Sequence, residues 1–95
     1  MLESEFQAKL IKELKSRYKG RIVMKTDAEQ IQGIPDLLIL HNDKWAALEC
    51  KKEKNAKHRP NQDYRVDEMN KMSYAAFIYP ENKKDIIKQL DELFI

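Results

Sequence analysis

Two short apolar segments near the middle of the chain most constrain how it can fold. Residues 36–41 read DLLILH and residues 45–51 read WAALECK, and HNDK at 41–44 supplies a turn between them. Short runs bounded by turn residues predict two strands that pair as a hairpin. Because the first run is apolar at consecutive positions, both of its faces should be covered, which predicts a central place in a sheet.

Before the hairpin, a helical pattern is followed by an extended one. Apolar residues recur at helical spacing over residues 3–18, which predicts an amphipathic helix that ends at Gly20. Residues 21–26, RIVMKT, read as a short strand. A polar loop then leads to Pro35, which biases Ile34 towards an extended conformation. One helix and one strand should therefore precede the hairpin.

After the hairpin, the patterns indicate a helix, a strand and a final helix. A polar, charged loop leads to Pro60, which is predicted to open the second helix. Residues 74–79, YAAFIY, read as a strand. Asn82, with Asp85 three residues later, is typical of a capped start for the last helix. The order α-β-β-β-α-β-α predicts an α/β fold.

Length and composition fit one domain over residues 1–95 and exclude several kinds of site. The 95 residues allow one core, and 42% of them are hydrophobic and 36% charged. Cys50 is the one cysteine, so an intrachain disulfide and a cysteine zinc site are excluded. The N-terminus carries charges throughout, and no segment approaches membrane-spanning length. We expect no membrane partner and a cytoplasmic protein, or a nuclear one in a eukaryote.

Three charged residues lie within the apolar segments of the hairpin. Glu49 and Lys51 are two apart in an extended segment, so their side chains share a face, and the residues between and before them point to the opposite one. Pairing of the two strands brings Asp36, at the start of the first, opposite the end of the second. The hairpin therefore predicts a cluster of Asp36, Glu49 and Lys51, although charges buried without partners are costly.

Two explanations of this cluster remain open from the residues alone. Carboxylates close together repel, and a shared proton, a cation or a divalent metal relieves the repulsion; oxygen ligands suit Mg²⁺ or Mn²⁺. With a metal, Asp36 and Glu49 would hold the ion during phosphodiester hydrolysis, and Lys51 would position the nucleophile or stabilise the transition state. The alternative is an ordinary ion pair between Glu49 and Lys51 that has no function.

A basic run directly follows the cluster. The chain has 18 basic and 16 acidic residues, so its net charge of +2 says little about partners, but the distribution of the charges says more. Cations at these positions are predicted to hold the phosphates that flank the reacting one in DNA. The candidate DNA-binding residues are Lys52, Lys54, Lys57 and Arg59.

The pair Pro35-Asp36 followed by Glu49-Cys50-Lys51 resembles the PD-(D/E)xK nuclease signature. Within that superfamily the chain most resembles the small, stand-alone VRR-type nucleases of phages and bacteria, which include Holliday junction resolvase-like enzymes. The resemblance spans most of the chain and implies a restriction-endonuclease-like αβββαβ core, with a mixed central sheet flanked by helices. It also implies cleavage of DNA phosphodiesters that depends on Mg²⁺ or Mn²⁺, with a preference for branched or flapped DNA.

Carried over residue by residue, the resemblance assigns Asp36 and Glu49 as metal ligands and Lys51 as the catalytic lysine. These nucleases also have a glutamine at the start of the next helix, where this chain has Gln62. Its amide would orient a water or a phosphate oxygen; the alternative is a solvated or helix-capping amide. An acidic residue on the first helix completes the site in many relatives, and Glu5 is the preferred candidate, although the nearby Glu3 competes.

The leading hypothesis is a metal-dependent, structure-selective DNA endonuclease that acts on branched DNA such as four-way junctions. One alternative is a non-catalytic DNA-binding module with a nuclease-like fold, and another is a restriction or repair nuclease that recognises a base sequence. Symmetric cutting of a junction needs two active sites, which favours a homodimer formed through the first helix, the last helix or both. His41 and His58 are expected to be surface residues, because a metal-activated water needs neither as a base.

Overall fold

Four strands form one mixed sheet in the computed structural model, which describes residues 1–95. In chain order, which is also their order across the sheet, they are β1 (Ile22–Lys25), β2 (Leu37–His41), β3 (Lys44–Cys50) and β4 (Tyr74–Ile78). The first three pair antiparallel, whereas β4 runs parallel to β3. The predicted hairpin is confirmed, with Asn42 in the left-handed region at its turn, a conformation that asparagine tolerates.

Three helices cover the sheet: α1 (Glu3–Arg17), α2 (Gln62–Met72) and α3 (Lys83–Phe94). Together with the strands they give the predicted order and a mixed sheet flanked by helices, as expected of a restriction-endonuclease-like core. A parallel pair of strands needs a crossover connection, which α2 and its flanking loops supply between β3 and β4. None of the three helices is long and apolar enough to cross a membrane.

The main core lies between one face of the sheet and the helices α1 and α3. Strand alternation sends Leu48 and Cys50 into this core, as predicted. Other members of the core are Phe6, Leu10 and Leu14 from α1, Leu37 and Ile39 from β2, and Ile86, Leu90 and Phe94 from α3. Because the apolar stripes of α1 and α3 are buried here, the structure does not support the expectation that these helices supply a dimer interface.

The opposite face of the sheet is only partly covered, by α2. The helix packs on β3 and β4, where Ala47 and Ala75 are small enough to let it approach and Val66 fills the contact. Next to Ala47 on this face of the hairpin, two positions further along β3, lies Glu49. The edge strand β1 is left without cover here, and its Ile22 and Met24 are exposed.

One predicted helix start was wrong, and at another the start is confirmed but the predicted side-chain cap is absent. Helix α2 begins at Gln62, not at Pro60, because Asn61 has φ 69°, a left-handed conformation that a right-handed helix excludes. The Asn82 side chain does not cap α3. Instead it closes the turn after β4, since its Oδ1 accepts a bond from the Tyr79 amide and its Nδ2 donates to the Phe77 carbonyl.

Gly33 lets the loop before β2 pack against the residue that precedes α2. Its φ is +82°, and a Cβ at this position would lie 2.6 Å from the backbone of Asn61. The contact is reinforced by a hydrogen bond of 3.0 Å from Asn61 Nδ2 to Gln32 Oε1. The start of α2 is therefore held close to the loop that carries Pro35 and Asp36.

Candidate active site

The register of the β2–β3 hairpin brings Asp36 and Glu49 together. Leu37 pairs with Leu48, so the next residues outward, Asp36 and Glu49, lie opposite each other. The backbone amide of Cys50 donates a hydrogen bond of 3.0 Å to Asp36 Oδ2. The first carboxylate is thus oriented by the main chain that carries the second.

The carboxyl group of Glu49 is buried, and one of its oxygens lacks a partner. The side chain is 2% exposed, and Oε2 accepts a hydrogen bond of 3.0 Å from Gln62 Nε2. Lys51 Nζ lies 3.8 Å from the same oxygen. The other oxygen, Oε1, is buried and accepts no hydrogen bond from the protein, whereas the neutral carboxyl can share its proton with Asp36. Buried polar atoms are nearly always paired, so Oε1 calls for an explanation.

The surroundings of Glu49 disfavour its charged form. Burial is the main cause that raises the pKa of Glu49 from 4.5 to about 8; the charge of Asp36 also raises this pKa, while Lys51 lowers it. At neutral pH, with no further cation, the buried carboxyl is therefore largely protonated. A divalent cation beside it would favour the charged form and release the proton.

Lys51 is held by two acceptors, and its side chain is 4% exposed. Its Nζ donates hydrogen bonds of 2.7 Å to Gln62 Oε1 and 3.2 Å to the Lys57 carbonyl. The Arg59 amide donates to the same Gln62 oxygen at 2.9 Å. The two ends of the Gln62 amide thus bridge Lys51 and Glu49, and this buried amide is not the solvated group considered above.

The acidic residue of α1 that faces this cluster is Glu3, not Glu5. Glu3 is half-buried, and its charge contributes to the raised pKa of Glu49. Glu5 is exposed. Two residues along a helix turn a side chain through about 200°, so both cannot face the same site. The structure therefore does not bring Glu5 to Asp36 and Glu49, and it favours the competitor.

The donor atoms fit a hard divalent cation better than zinc. Two carboxylates lie side by side, one of them with a buried free oxygen, and neither histidine nor thiolate is directed at them. The protein groups alone do not make a complete cage, because no cluster of three or more histidine, cysteine or acidic side chains is arranged for metal binding. Mg²⁺ commonly uses one or two carboxylates and keeps several waters, so two carboxylates are a sufficient set of protein ligands for it.

The basic run borders an open cavity of about 370 Å³ next to the cluster. Three of the four candidate DNA-binding residues line it together with Lys51: Lys52, Lys57 and Arg59. Glu3 lines it from the side of α1. The fourth candidate, Lys54, is exposed but is not part of this lining, and its amide bonds to Glu81 instead. Positive charge is therefore gathered along one edge of the candidate site.

Sequence reasoning missed the two main-chain groups that complete the lysine site. The carbonyl of Lys57 and the amide of Arg59 contact Lys51 and Gln62 through the backbone, so the identity of their side chains gives no signal. For Glu3 a signal existed, because it lies three residues before Phe6 and seven before Leu10, on the extension of the buried stripe.

Comparison with known proteins supports the fold of the chain. No protein-family model matches the chain, and no curated protein matches it. A solved structure described as a VRR_NUC domain protein matches with a TM-score of 0.73 and 25% sequence identity. The match covers 98% of this chain and 90% of the other. The chain therefore shares the nuclease-type fold of a VRR_NUC domain protein over nearly its whole length.

Proposed function

We propose that the protein is a metal-dependent, structure-selective DNA endonuclease that hydrolyses phosphodiesters in branched DNA such as four-way junctions. The observation that carries this proposal is the buried, unpartnered Oε1 of Glu49, beside Asp36 and a fixed lysine, in a nuclease-type fold. A purely structural ion pair would leave no reason for burying one carboxylate against another. A nuclease-type fold in turn implies a nucleic acid as the substrate.

Asp36 and Glu49 would hold Mg²⁺ or Mn²⁺, with Glu3 on the side of α1 as an outer acidic group. Bound there, the ion would stabilise charge on the scissile phosphate and lower the pKa of water. Asp36 is oriented for this by the Cys50 amide, and Glu49 by Gln62. The low exposure of Glu49 strengthens its electrostatic interactions, because water does not screen them.

Lys51 supplies the fixed positive charge of the site. Its ammonium group is already held by Gln62 and the Lys57 carbonyl, so little reorganisation is needed when a phosphate arrives. In this position it would stabilise the pentavalent phosphate or orient the attacking water. Gln62 fixes the positions of the Lys51 and Glu49 side chains relative to each other, because its amide group contacts both.

The preference for branched DNA rests on what surrounds the site. The cavity beside Lys51 is lined by Lys52, Lys57 and Arg59. These cations suit contacts to DNA phosphates, and such contacts do not distinguish one base sequence from another. Nuclease specificity for a base sequence needs side chains that reach base edges in a groove. The two longest loops, residues 26–36 and 51–61, have eleven residues each, and the second already supplies the cations of the cavity, so recognition of DNA shape suits the chain better.

Symmetric cutting of a four-way junction would require two copies of the protein. With α1 and α3 committed to the core, the exposed Ile22 and Met24 of the edge strand β1 offer apolar surface for such a contact. We include the homodimer in the proposal, and light scattering coupled to gel filtration measures it directly.

Cleavage of a labelled four-way junction, compared with a linear duplex of the same arm sequence, tests the proposal. The protein is incubated with Mg²⁺ or Mn²⁺, or with EDTA, alongside Lys51→Ala and the surface variant Lys88→Ala. We expect metal-dependent cutting of the junction that Lys51→Ala loses and Lys88→Ala retains. Paired symmetric nicks would also support the dimer.

The other outcomes separate the alternatives. Equal cutting of the duplex would keep the nuclease but remove its structure selectivity, and cutting at one base sequence would favour a restriction or repair enzyme. Tight DNA binding without cutting, under either metal, would favour a non-catalytic module. Absence of both binding and cutting would leave the cluster as a structural ion pair.

A further inference from the structure

His58 was expected to be a surface residue of a basic loop, but its ring is held in a fixed position beside the candidate site. Its ring stacks on Phe77, with ring centroids 4.1 Å apart and planes inclined by 12°. Nδ1 lies 2.7 Å from Asp63 Oδ1, at the start of α2. Phe77 is the residue of β4 that pairs with Glu49 in the sheet. The imidazole is thus anchored to two elements next to the cluster.

The loop that carries His58 is attached near its two ends, where the Lys54 amide donates to Glu81 and Asn61 bonds to Gln32, and His58 supplies a side-chain attachment between them. Within residues 52–61 the side chains are exposed except for Ala56 and His58, which are half-buried. Yet this loop supplies two backbone groups to the site, the Lys57 carbonyl and the Arg59 amide. These groups immediately flank His58. Whatever fixes His58 therefore also fixes the peptide groups on either side of it.

We propose that His58 is a positioning residue for Lys51: its ring, stacked on Phe77 and bonded to Asp63, holds the Lys57 carbonyl that orients the Lys51 ammonium group. This inference rests on the proposed nuclease activity, and assigns His58 no contact with the reacting atoms. Of the two anchors the stack carries more, because the Asp63 side chain is 76% exposed and water competes for its hydrogen bond.

The physical basis is the flexibility of lysine. Its long side chain places the ammonium group wherever acceptors hold it, and two acceptors define the position of Lys51 here. If the loop loosens, the Lys57 carbonyl moves and only Gln62 remains to direct the charge. A displacement of about 1 Å in a catalytic group can lower the rate about a hundredfold. The substrate phosphates would still contact Lys52 and Lys57, so the affinity of the protein for DNA should change little.

Four variants test this on the DNA that the parent protein cuts: His58→Ala, His58→Phe, Asp63→Ala and His41→Ala. His58→Phe keeps an aromatic ring on Phe77 but removes the imidazole nitrogens. His41 is a matched control, because it is also half-buried and beside an aromatic ring, that of Phe94, at the hairpin turn. The values of kcat and KM are measured with Mg²⁺ or Mn²⁺, and thermal melting checks that each variant is folded.

We expect His58→Ala to lower kcat by about ten- to a hundredfold with KM within about threefold of the parent. His58→Phe should restore kcat to within about threefold, Asp63→Ala should lose less than His58→Ala, and His41→Ala should match the parent.

Three outcomes would overturn the inference while the parent remains an active nuclease: unchanged kcat in His58→Ala, an increase confined to KM, or a loss in His58→Phe as large as in His58→Ala. The last outcome, together with an Asp63→Ala variant that matches the parent, would mean that the imidazole itself contacts the substrate. A parent protein without any cleavage would overturn the proposed function, and the inference together with it.

Discussion

Replacing Glu49 by glutamine should stabilise the metal-free protein at neutral pH, although it removes a candidate metal ligand. The folded-state pKa of Glu49, about 8, lies above its ordinary value of 4.5. The neutral carboxyl therefore contributes its full stability below pH 4.5, and this contribution is lost as the pH rises towards 8. The amide of Glu49→Gln does not titrate and still offers Gln62 an acceptor, so it avoids that loss.

The size of the effect follows from the shift in pKa. Between the two values, each pH unit costs about 1.4 kcal/mol in the free energy of unfolding. The parent should therefore lose about 3 kcal/mol by pH 7 and about 5 kcal/mol above pH 8, relative to acid conditions. In a domain of this size, 1 kcal/mol moves Tm by about 4 to 8 °C. A gain in Tm of more than about 10 °C at pH 8 is thus expected for Glu49→Gln.

Urea unfolding of the parent and Glu49→Gln in EDTA, between pH 4.5 and 8.5, measures this difference. All other titrating groups are common to the two proteins, so the difference reports the titration of Glu49 together with its coupling to Asp36 and Lys51. Adding Mg²⁺ or Mn²⁺ at pH 8 should then stabilise the parent and leave Glu49→Gln nearly unchanged, because a ligand stabilises the state that binds it.

Two results would refute the reasoning. A stability difference that stays constant across this pH range would show that the buried carboxyl does not titrate between its two pKa values. Equal stabilisation of both proteins by the metal would remove Glu49 from the ligands, whatever the outcome of the titration.

Two further predictions concern the backbone near the site and the basic edge. In urea unfolding, Gly33→Ala should destabilise the protein by about 1 to 3 kcal/mol more than Gly20→Ala. Both glycines have a similar positive φ, but only at Gly33 would the added Cβ clash with a neighbour, the Asn61 backbone at 2.6 Å. Equal losses of stability in the two variants would contradict this clash. The double variant Lys52→Ala/Lys57→Ala should weaken DNA binding and reduce the slope of log K against log salt concentration by about 2. The control Lys84→Ala/Lys88→Ala, on α3, should leave the slope unchanged. An unaltered slope in the first variant would show that Lys52 and Lys57 do not contact phosphates.

The hairpin made much of the site accessible from the sequence. Alternation along a strand and antiparallel pairing are enough to bring Asp36, Glu49 and Lys51 together, because both depend only on residue spacing. Gln62 entered through the resemblance to VRR-type nucleases, and its bridging contacts to Glu49 and Lys51 became visible only in three dimensions.

Other features depend on tertiary packing that local patterns do not report. The start of α2 was misplaced because the left-handed conformation of Asn61 overrides the preference of Pro60 for a first helical turn. The choice of Glu5 over Glu3 is different, because the spacing of Glu3 to the buried residues Phe6 and Leu10 was visible in the sequence and indicates the inward face of α1. The stacking of His58 on Phe77 joins segments far apart in the chain, and no local pattern predicts it.

The inward direction of Cys50 makes it a built-in reporter for the strand that carries the candidate site. Cys50 lies between Glu49 and Lys51 in the sequence, and its thiol is fully buried. Burial also raises the pKa of the thiol well above the ordinary range. The thiol is therefore protected from alkylating reagents in the folded protein. Its labelling rate therefore measures how often β3 opens. Because Cys50 is the one cysteine of the chain, a second cysteine introduced on the surface would take up a fluorophore selectively without any need to replace the native residue.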